Sequence, residues 1–295
     1  MQAQFPKLDP TASQLITRAP YHTLFILIST RFPFLSNPHP TELRPWPLSA
    51  TAAPSTSAFP SLSQTPPIAT LREVSILRRT DSPHVIRCHG VFDLPGGDIA
   101  ICMEYMDAGT LDTLLKEKSV VFTERLLSQI CRQVLGGLEY LHAHKIIHRD
   151  LKPSNILVNR AMEVKISDFG VSKVMQRTLD PCNSYVGTCA YMSPERFDPD
   201  TYGSSYDGYA GDIWSLGLTL LELYVGHFPY LEPGQRPDWA TLMCAICFGE
   251  PPSLPEGTSE DFRSFIECCL QKDSSKRWSA KQLLTHPFVR GVEPK

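Results

Sequence analysis

Hydrophobic positions fall into two regimes along the chain. Through residues 1–67 they keep neither a period of 2 nor one of 3.6, and Pro38, Pro40, Pro45, Pro47, Pro66 and Pro67 interrupt too often for a helix or a central strand. This stretch reads as a disordered or loosely packed extension. From residue 68 the pattern changes. Ile68, Leu71, Val74 and Leu77 recur every three positions and predict one apolar helix face. Val85–Phe92 and Ile99–Tyr105 read as strands joined by a turn at Pro95-Gly96-Gly97-Asp98. Thr123 is placed to cap a long helix whose face is Leu127, Ile130, Val134, Leu138 and Leu141. Short strands at Ile156–Val158 and Val164–Ile166 follow, then helical stretches near 211–225, 237–248, 260–271 and 279–285. A small strand-containing part thus precedes a mainly helical one, an α+β arrangement.

Composition changes this picture in two places. Across 295 residues, 42% hydrophobic and 20% charged residues are those of a globular chain with ample core material. A net charge of −3 and a pI near 6.3 give no basic excess for nucleic acid, and no apolar run approaches the ~18 residues of a membrane span. Nine cysteines, an odd count without a signal peptide, point to reduced thiols in the cytosol or nucleus. Cys244 and Cys247 have zinc-ligand spacing, but the amphipathic run around them favours packing. The glycines are unevenly spread. None of the 17 lies before Gly90, whereas 12 of the 26 prolines lie in residues 1–70.

The candidate chemistry begins at His148-Arg149-Asp150-Leu151-Lys152-Pro153-Ser154-Asn155. Asp168-Phe169-Gly170, Ser193-Pro194-Glu195, Asp212-Ile213-Trp214 and a lone Arg277 follow in order. Each short item is weak alone; the ordered set is specific. Asp150 is placed to accept a proton from a substrate hydroxyl, and Lys152, two residues on, reaches the same side. Asn155 and Asp168 supply hard oxygens of the kind Mg²⁺ prefers. On these motifs, residues 69–290 resemble a eukaryotic protein kinase, which implies a bilobal fold and ATP with Mg²⁺ as cofactors.

The resemblance assigns further roles. His148 and Phe169 would pack beneath the site, and Arg149 would receive an activation-loop phosphate. Glu195 with Arg277 resembles a buried ion pair, and Asp212 the residue that pins the catalytic-loop backbone. Met103 looks like the residue guarding the nucleotide pocket, with Glu104 and Met106 offering backbone groups to adenine and Leu157 beneath the ring. The runs Ile101–Asp107 and Gly170-Val171-Ser172-Lys173 are similar to mitogen-activated protein kinase kinases. Thr178 and Ser184, with five residues between them, follow the plant spacing and would be phosphorylated by an upstream MAP kinase kinase kinase; a MAP kinase would be the substrate. Residues 259–290 resemble the region where such kinases dock activators, and equally a plain structural helix pair.

The resemblance stops at the start of the small lobe. Glu73 matches the helix glutamate that pairs with a strand lysine, but Lys7 is the only lysine before Lys116. Without glycine in residues 1–89 there is no Gly-rich loop through which backbone N–H groups approach phosphates. The expected division is therefore an extension at 1–67, a small-lobe remnant of one helix and two strands at 68–106, a helical large lobe at 107–290 and a tail at 291–295. The small lobe is expected to be truncated or atypical, and the activity impaired or replaced by non-catalytic scaffolding.

Overall fold

The computed structural model describes residues 14–19, 23–28, 44–45, 79–93, 99–168, 189–198, 201, 207–231 and 238–291, with the main chain alone at 14–19, 23–28, 44–45, 92–93 and 99–100. The chain divides into two compact units, one of residues 1–81 with 86–105 and one of 82–85 with 106–295.

The first unit is built on an antiparallel sheet. Its strands are β1 (Gln14–Ala19), β2 (Thr23–Ile28), β3 (Arg44–Pro45), β4 (Cys88–Asp93) and β5 (Ile99–Glu104), in the order β1-β2-β5-β4-β3. Leu24 pairs with Met103 and Ile26 with Ile101, while a bulge between Cys88 and Gly90 shifts the β4–β5 register. Three of these strands lie where no regular element was expected, so the reading of residues 1–67 is corrected at 14–19, 23–28 and 44–45. The reason is main-chain pairing. β5 has two edges, and the Thr-Leu-Phe-Ile-Leu-Ile run, rich in strand-forming types, satisfies the one that β4 leaves. Pro45 is tolerated because β3 is an edge strand. The helix expected from residue 68, the Pro95–Asp98 turn and Glu73 lie outside the described residues.

The second unit is mainly helical. A small sheet of β6 (Gly109–Thr110), β7 (Ile156–Val158) and β8 (Val164–Ile166) stands beside α1 (Leu111–Lys116) and α2 (Glu124–Ala143). Further on come α3 (Pro194–Phe197), α4 (Gly208–Val225), α5 (Trp239–Met243), α6 (Glu260–Cys269), α7 (Ala280–Leu283) and α8 (Pro287–Arg290). Thr123 caps α2 as expected, its side chain accepting from Leu126 N, and Leu127, Ile130, Val134, Leu138 and Leu141 are buried. β7 and β8 have the expected bounds. The stretch predicted as one helix near 237–248 is instead α5 followed by a π-helical turn over Cys244–Phe248. α4 is buried on nearly every side, including Trp214 and six leucines or isoleucines, and so forms the core of the unit. Among the described residues, no helix is long and apolar enough to cross a membrane.

The expected Val85–Phe92 strand is split between the units. Val85, 1% exposed, bridges to Ile166 of β8, and His84 O accepts from Ile166 N at 2.9 Å. Only from Cys88 does the chain join β4. His84 approaches α2 where two adjacent glycines remove side chains. A Cβ on Gly137 would stand 2.8 Å from the His84 carbonyl oxygen and 2.9 Å from Ile166 Cδ1. Gly137→Ala is therefore expected to lower the Tm by a few degrees, although alanine is the better helix former by ~1 kcal/mol. Overpacking against a backbone carbonyl costs about 1–3 kcal/mol and outweighs that gain. Thermal unfolding of the two proteins checks it; an equal or higher Tm would show that the contact relaxes freely.

Candidate functional site

The residues singled out in the catalytic loop belong to the second unit, and the fold brings them together. The loop follows α2, and a 3₁₀ turn over Pro153–Asn155 carries it into β7. Asp212, in the first turns of α4 and 1% exposed, accepts from His148 N at 2.9 Å, from Arg149 N at 2.8 Å and from His142 Nε2 at 2.9 Å. That carboxylate holds Arg149 at φ +70°, a conformation non-glycine residues rarely adopt. The buried His148 ring accepts from Asp150 N through Nδ1 at 3.3 Å, so its Nε2–H donates to Ser167 O at 2.9 Å. The ring thereby ties the loop to the segment carrying Asp168.

Asp150 stands at the centre of the cluster. Lys152 Nζ approaches its carboxylate oxygens at 3.0 and 3.2 Å, and Asn155 Nδ2 donates to the Asp150 carbonyl at 2.7 Å and to Oδ2 at 3.1 Å. Asn155 is itself fixed, because its carbonyl accepts from Ser167 N at 2.9 Å and Ser167 Oγ at 3.1 Å. With its amide nitrogen directed at Asp150, Asn155 turns Oδ1 the other way, where it accepts from Ser154 Oγ at 3.5 Å. Asp168 sits at φ +61°, and its buried Oδ1 has no hydrogen-bond partner among the described residues. A buried carboxylate oxygen left unpaired needs a compensating charge, and a hard divalent cation fits it. The arrangement can take a proton from a hydroxyl at Asp150, place a positive charge at Lys152 and hold a cation between Asn155 and Asp168.

Glu195 and Arg277 form the ion pair expected of them. Two bonds of 2.7 Å join the side chains, which are 2% and 0% exposed. Arg277 also donates to Gln271 O at 2.6 Å, Lys272 O at 3.1 Å and Ala210 O at 3.2 Å, and its guanidinium lies 5.1 Å from the Trp214 ring centroid. All five N–H groups are used, which is how a charge this deeply buried is stabilised.

The expected nucleotide-side residues divide between the units. In the first, Met103 is buried in β5, and Glu104 donates its N–H to Arg87 O at 3.0 Å while its Oε1 accepts from Arg87 N at 2.7 Å. In the second, Met106 is 6% exposed, and Leu157 of β7 is half-buried between Thr110 and Lys165. Phe169, Thr178 and Ser184 lie outside the described residues. Arg149 carries an exposed side chain. Cys247 donates to Pro194 O at 3.9 Å and burial pushes its thiol up to about 11; Cys244 is exposed. Among the described residues no group of three or more His, Cys, Asp or Glu could hold a metal. A cavity of about 770 Å³ lined by Phe122, Tyr224 and Pro255 among others contains none of the site residues.

Three contributors carried no motif in the sequence. Ser167 locks Asn155, His142 shares the Asp212 carboxylate, and Tyr191 donates to Glu222 Oε2 while its carbonyl accepts from Ser215 Oγ at 2.7 Å. Sequence spacing does not reveal them, because each partner is 12 to 70 positions away.

The loop, its buried aspartate anchor and the Glu195–Arg277 pair define a phosphotransferase of the protein-kinase class. The family model "Protein kinase domain" matches residues 60–289. The chain is 66% identical over 221 residues to Mitogen-activated protein kinase kinase 9 of Arabidopsis thaliana, covering 75% of this chain and 70% of that one. It is 63% identical over 220 residues to Mitogen-activated protein kinase kinase 7 of the same plant, with 74% and 70% covered. It is 47% identical over 223 residues to Mitogen-activated protein kinase kinase SIPKK of Nicotiana tabacum, with 74% and 60% covered. The chain belongs to the protein kinase family, in its mitogen-activated protein kinase kinase branch.

Two measurements test this geometry. Arg277→Ala leaves Glu195 charged and buried, a change of about 3–5 kcal/mol that should lower the Tm by roughly 10 °C. Arg277→Lys should not restore it, since an ammonium cannot supply the two-pronged contact. Burial also raises the Glu222 carboxyl above its ordinary 4.5. A raised folded-state pKa gives stability that is complete below that ordinary value and is lost as pH rises through the folded one. Glu222→Gln keeps an acceptor for Tyr191 without the charge, so its Tm relative to the unsubstituted protein should increase between pH 4.5 and pH 8. A difference independent of pH would count against it.

Proposed function

We propose that this kinase transfers the γ-phosphate of Mg²⁺-bound ATP to threonine and tyrosine hydroxyls in a MAP kinase activation loop. An upstream MAP kinase kinase kinase would switch it on at Thr178 and Ser184, in the cytosol or nucleus. The single observation carrying this reading is the Asp150 carboxylate, oriented by Lys152 and Asn155. Mg²⁺-ATP would supply the phosphoryl group and neutralise its charge, with Asn155 and Asp168 holding the cation. Asp150 would orient the substrate hydroxyl and receive its proton at a carboxylate oxygen. Lys152 would hold that carboxylate in place and offer a positive charge to the transferring group. The named plant relatives, by their own names kinases of MAP kinases, support the choice of substrate.

The rate is where this chain departs from its relatives. With no glycine before Gly90 and no lysine between Lys7 and Lys116, neither a Gly-rich loop nor a strand lysine is available to the phosphates. Losing one preorganised charge-stabilising group costs about 10²–10³ in rate, so transfer at least ~10³ slower than in an intact relative is expected. The same absence favours a second reading, a scaffold that binds cascade partners without transfer. The proposed layout is a small-lobe part over 68–106, whose sheet is extended by strands within 14–45, and a large lobe over 107–290, with a short tail.

Mg²⁺-ATP is expected to raise the Tm of the protein, and single-turnover assays with a catalytically inactive MAP kinase should show slow transfer that Asp150→Asn abolishes. No thermal shift and no transfer would favour the scaffold. Transfer as fast as that of an intact relative would show that other groups replace the missing clamp.

A further inference from the structure

We infer that Arg196 is a positioning residue for phosphoryl transfer, fixing from α3 the peptide that precedes Asp150. Its guanidinium NH1 donates to the carbonyl oxygen of Arg149. That carbonyl and the Asp150 N–H belong to one peptide plane, and the N–H end is already held by His148 Nδ1 at 3.3 Å. Arg196 therefore closes the other end. With it, five main-chain polar groups around Asp150 are engaged: His148 N and Arg149 N by Asp212, Asp150 N by His148, Asp150 O by Asn155, and Arg149 O by Arg196.

The constraint matters because Arg149 sits at φ +70°. A strained residue relaxes when its flanking groups are released, and relaxation here would rotate the peptide whose next Cα carries the Asp150 carboxylate. Four of the five contacts come from the catalytic loop or from α4. The fifth comes from α3, whose own place is set by the buried Glu195–Arg277 pair one residue away. Arg196 is half-buried and bridges no carboxylate among the described residues, so a carbonyl is the acceptor its position serves. The chain Arg277–Glu195–Arg196–Arg149 links the end of the activation segment to Asp150 through side-chain bonds.

This inference rests on Asp150 being the proton acceptor, and the test separates the two. Full-length protein, Arg196→Ala, Arg196→Lys and Asp150→Asn would be assayed with Mg²⁺-ATP and a catalytically inactive MAP kinase. Amide hydrogen exchange would be followed over residues 147–151. Arg196→Ala should speed exchange at Arg149 and Asp150 about tenfold while leaving α2 and α4 unchanged, since only local opening becomes easier. It should lower kcat by about 10- to 100-fold with the KM for ATP nearly unaltered, the signature of a misplaced group. Arg196→Lys, which can still donate one hydrogen bond, should recover most of that loss. Unchanged exchange at Arg149 and Asp150, or faster exchange throughout the second unit, would overturn the inference. So would a kcat that Arg196→Ala leaves intact. Where turnover is too slow to follow, the exchange pattern decides alone. Activity surviving in Asp150→Asn would instead remove the proton-acceptor role, whatever the exchange shows.

Discussion

A single buried carboxylate organises the catalytic half of this protein. Taking Asp212 out of water costs several kcal/mol, and three hydrogen bonds from His148 N, Arg149 N and His142 offset that. The donors are what make the bargain useful. Two of them are consecutive amides of the loop that bears Asp150, so the charge is fully satisfied only when the loop adopts one shape. The positive φ at Arg149 is the visible residue of that requirement. α4 supplies the rigidity behind it, because a helix buried on nearly every side cannot shift without opening the core.

The same helix also receives the end of the activation segment. Ala210, two residues before Asp212, gives its carbonyl to Arg277, and Trp214, two residues after, lies beneath that guanidinium. Farther along, Ser215 bonds the Tyr191 carbonyl and Glu222 the Tyr191 hydroxyl. The Asp150 loop and the segment around Tyr191 are therefore referred to one frame, and Asp150, its neighbours and α3 hold their spacing through it. Burying charge this way is worth little as raw stability; its consequence is a defined geometry.

Much of the second unit was legible from the chain. Thr123 and the Leu127–Leu141 face predicted α2, and the short apolar runs at 156–158 and 164–166 were strands with those bounds. The catalytic loop was legible because its chemistry sits within eight consecutive residues. The small helix α1 was not, although Thr110 caps it, because six residues are too few for a period to show. Val85 read as the start of a strand, yet its partner is Ile166, and only the gap opened by Gly136 and Gly137 explains why. The strands before residue 45 escaped for another reason: proline frequency argued against them, whereas pairing with the open edge of β5 decided the matter.

Local sequence determined the candidate groups for the chemistry, Asp150, Lys152, Asn155 and Asp168 at fixed short spacings. It determined the long helices α2, α4 and α6 as well, since a 3.6-residue period is a property of neighbouring positions. Tertiary structure alone decided what holds those groups in place. Asp212 lies more than 60 positions from the amides it binds, Glu195 lies 82 from Arg277, and Arg196 lies 47 from the carbonyl it reaches. A hydrogen bond depends on distance in space, and no pattern along the chain encodes a contact whose partners meet only after the core has formed.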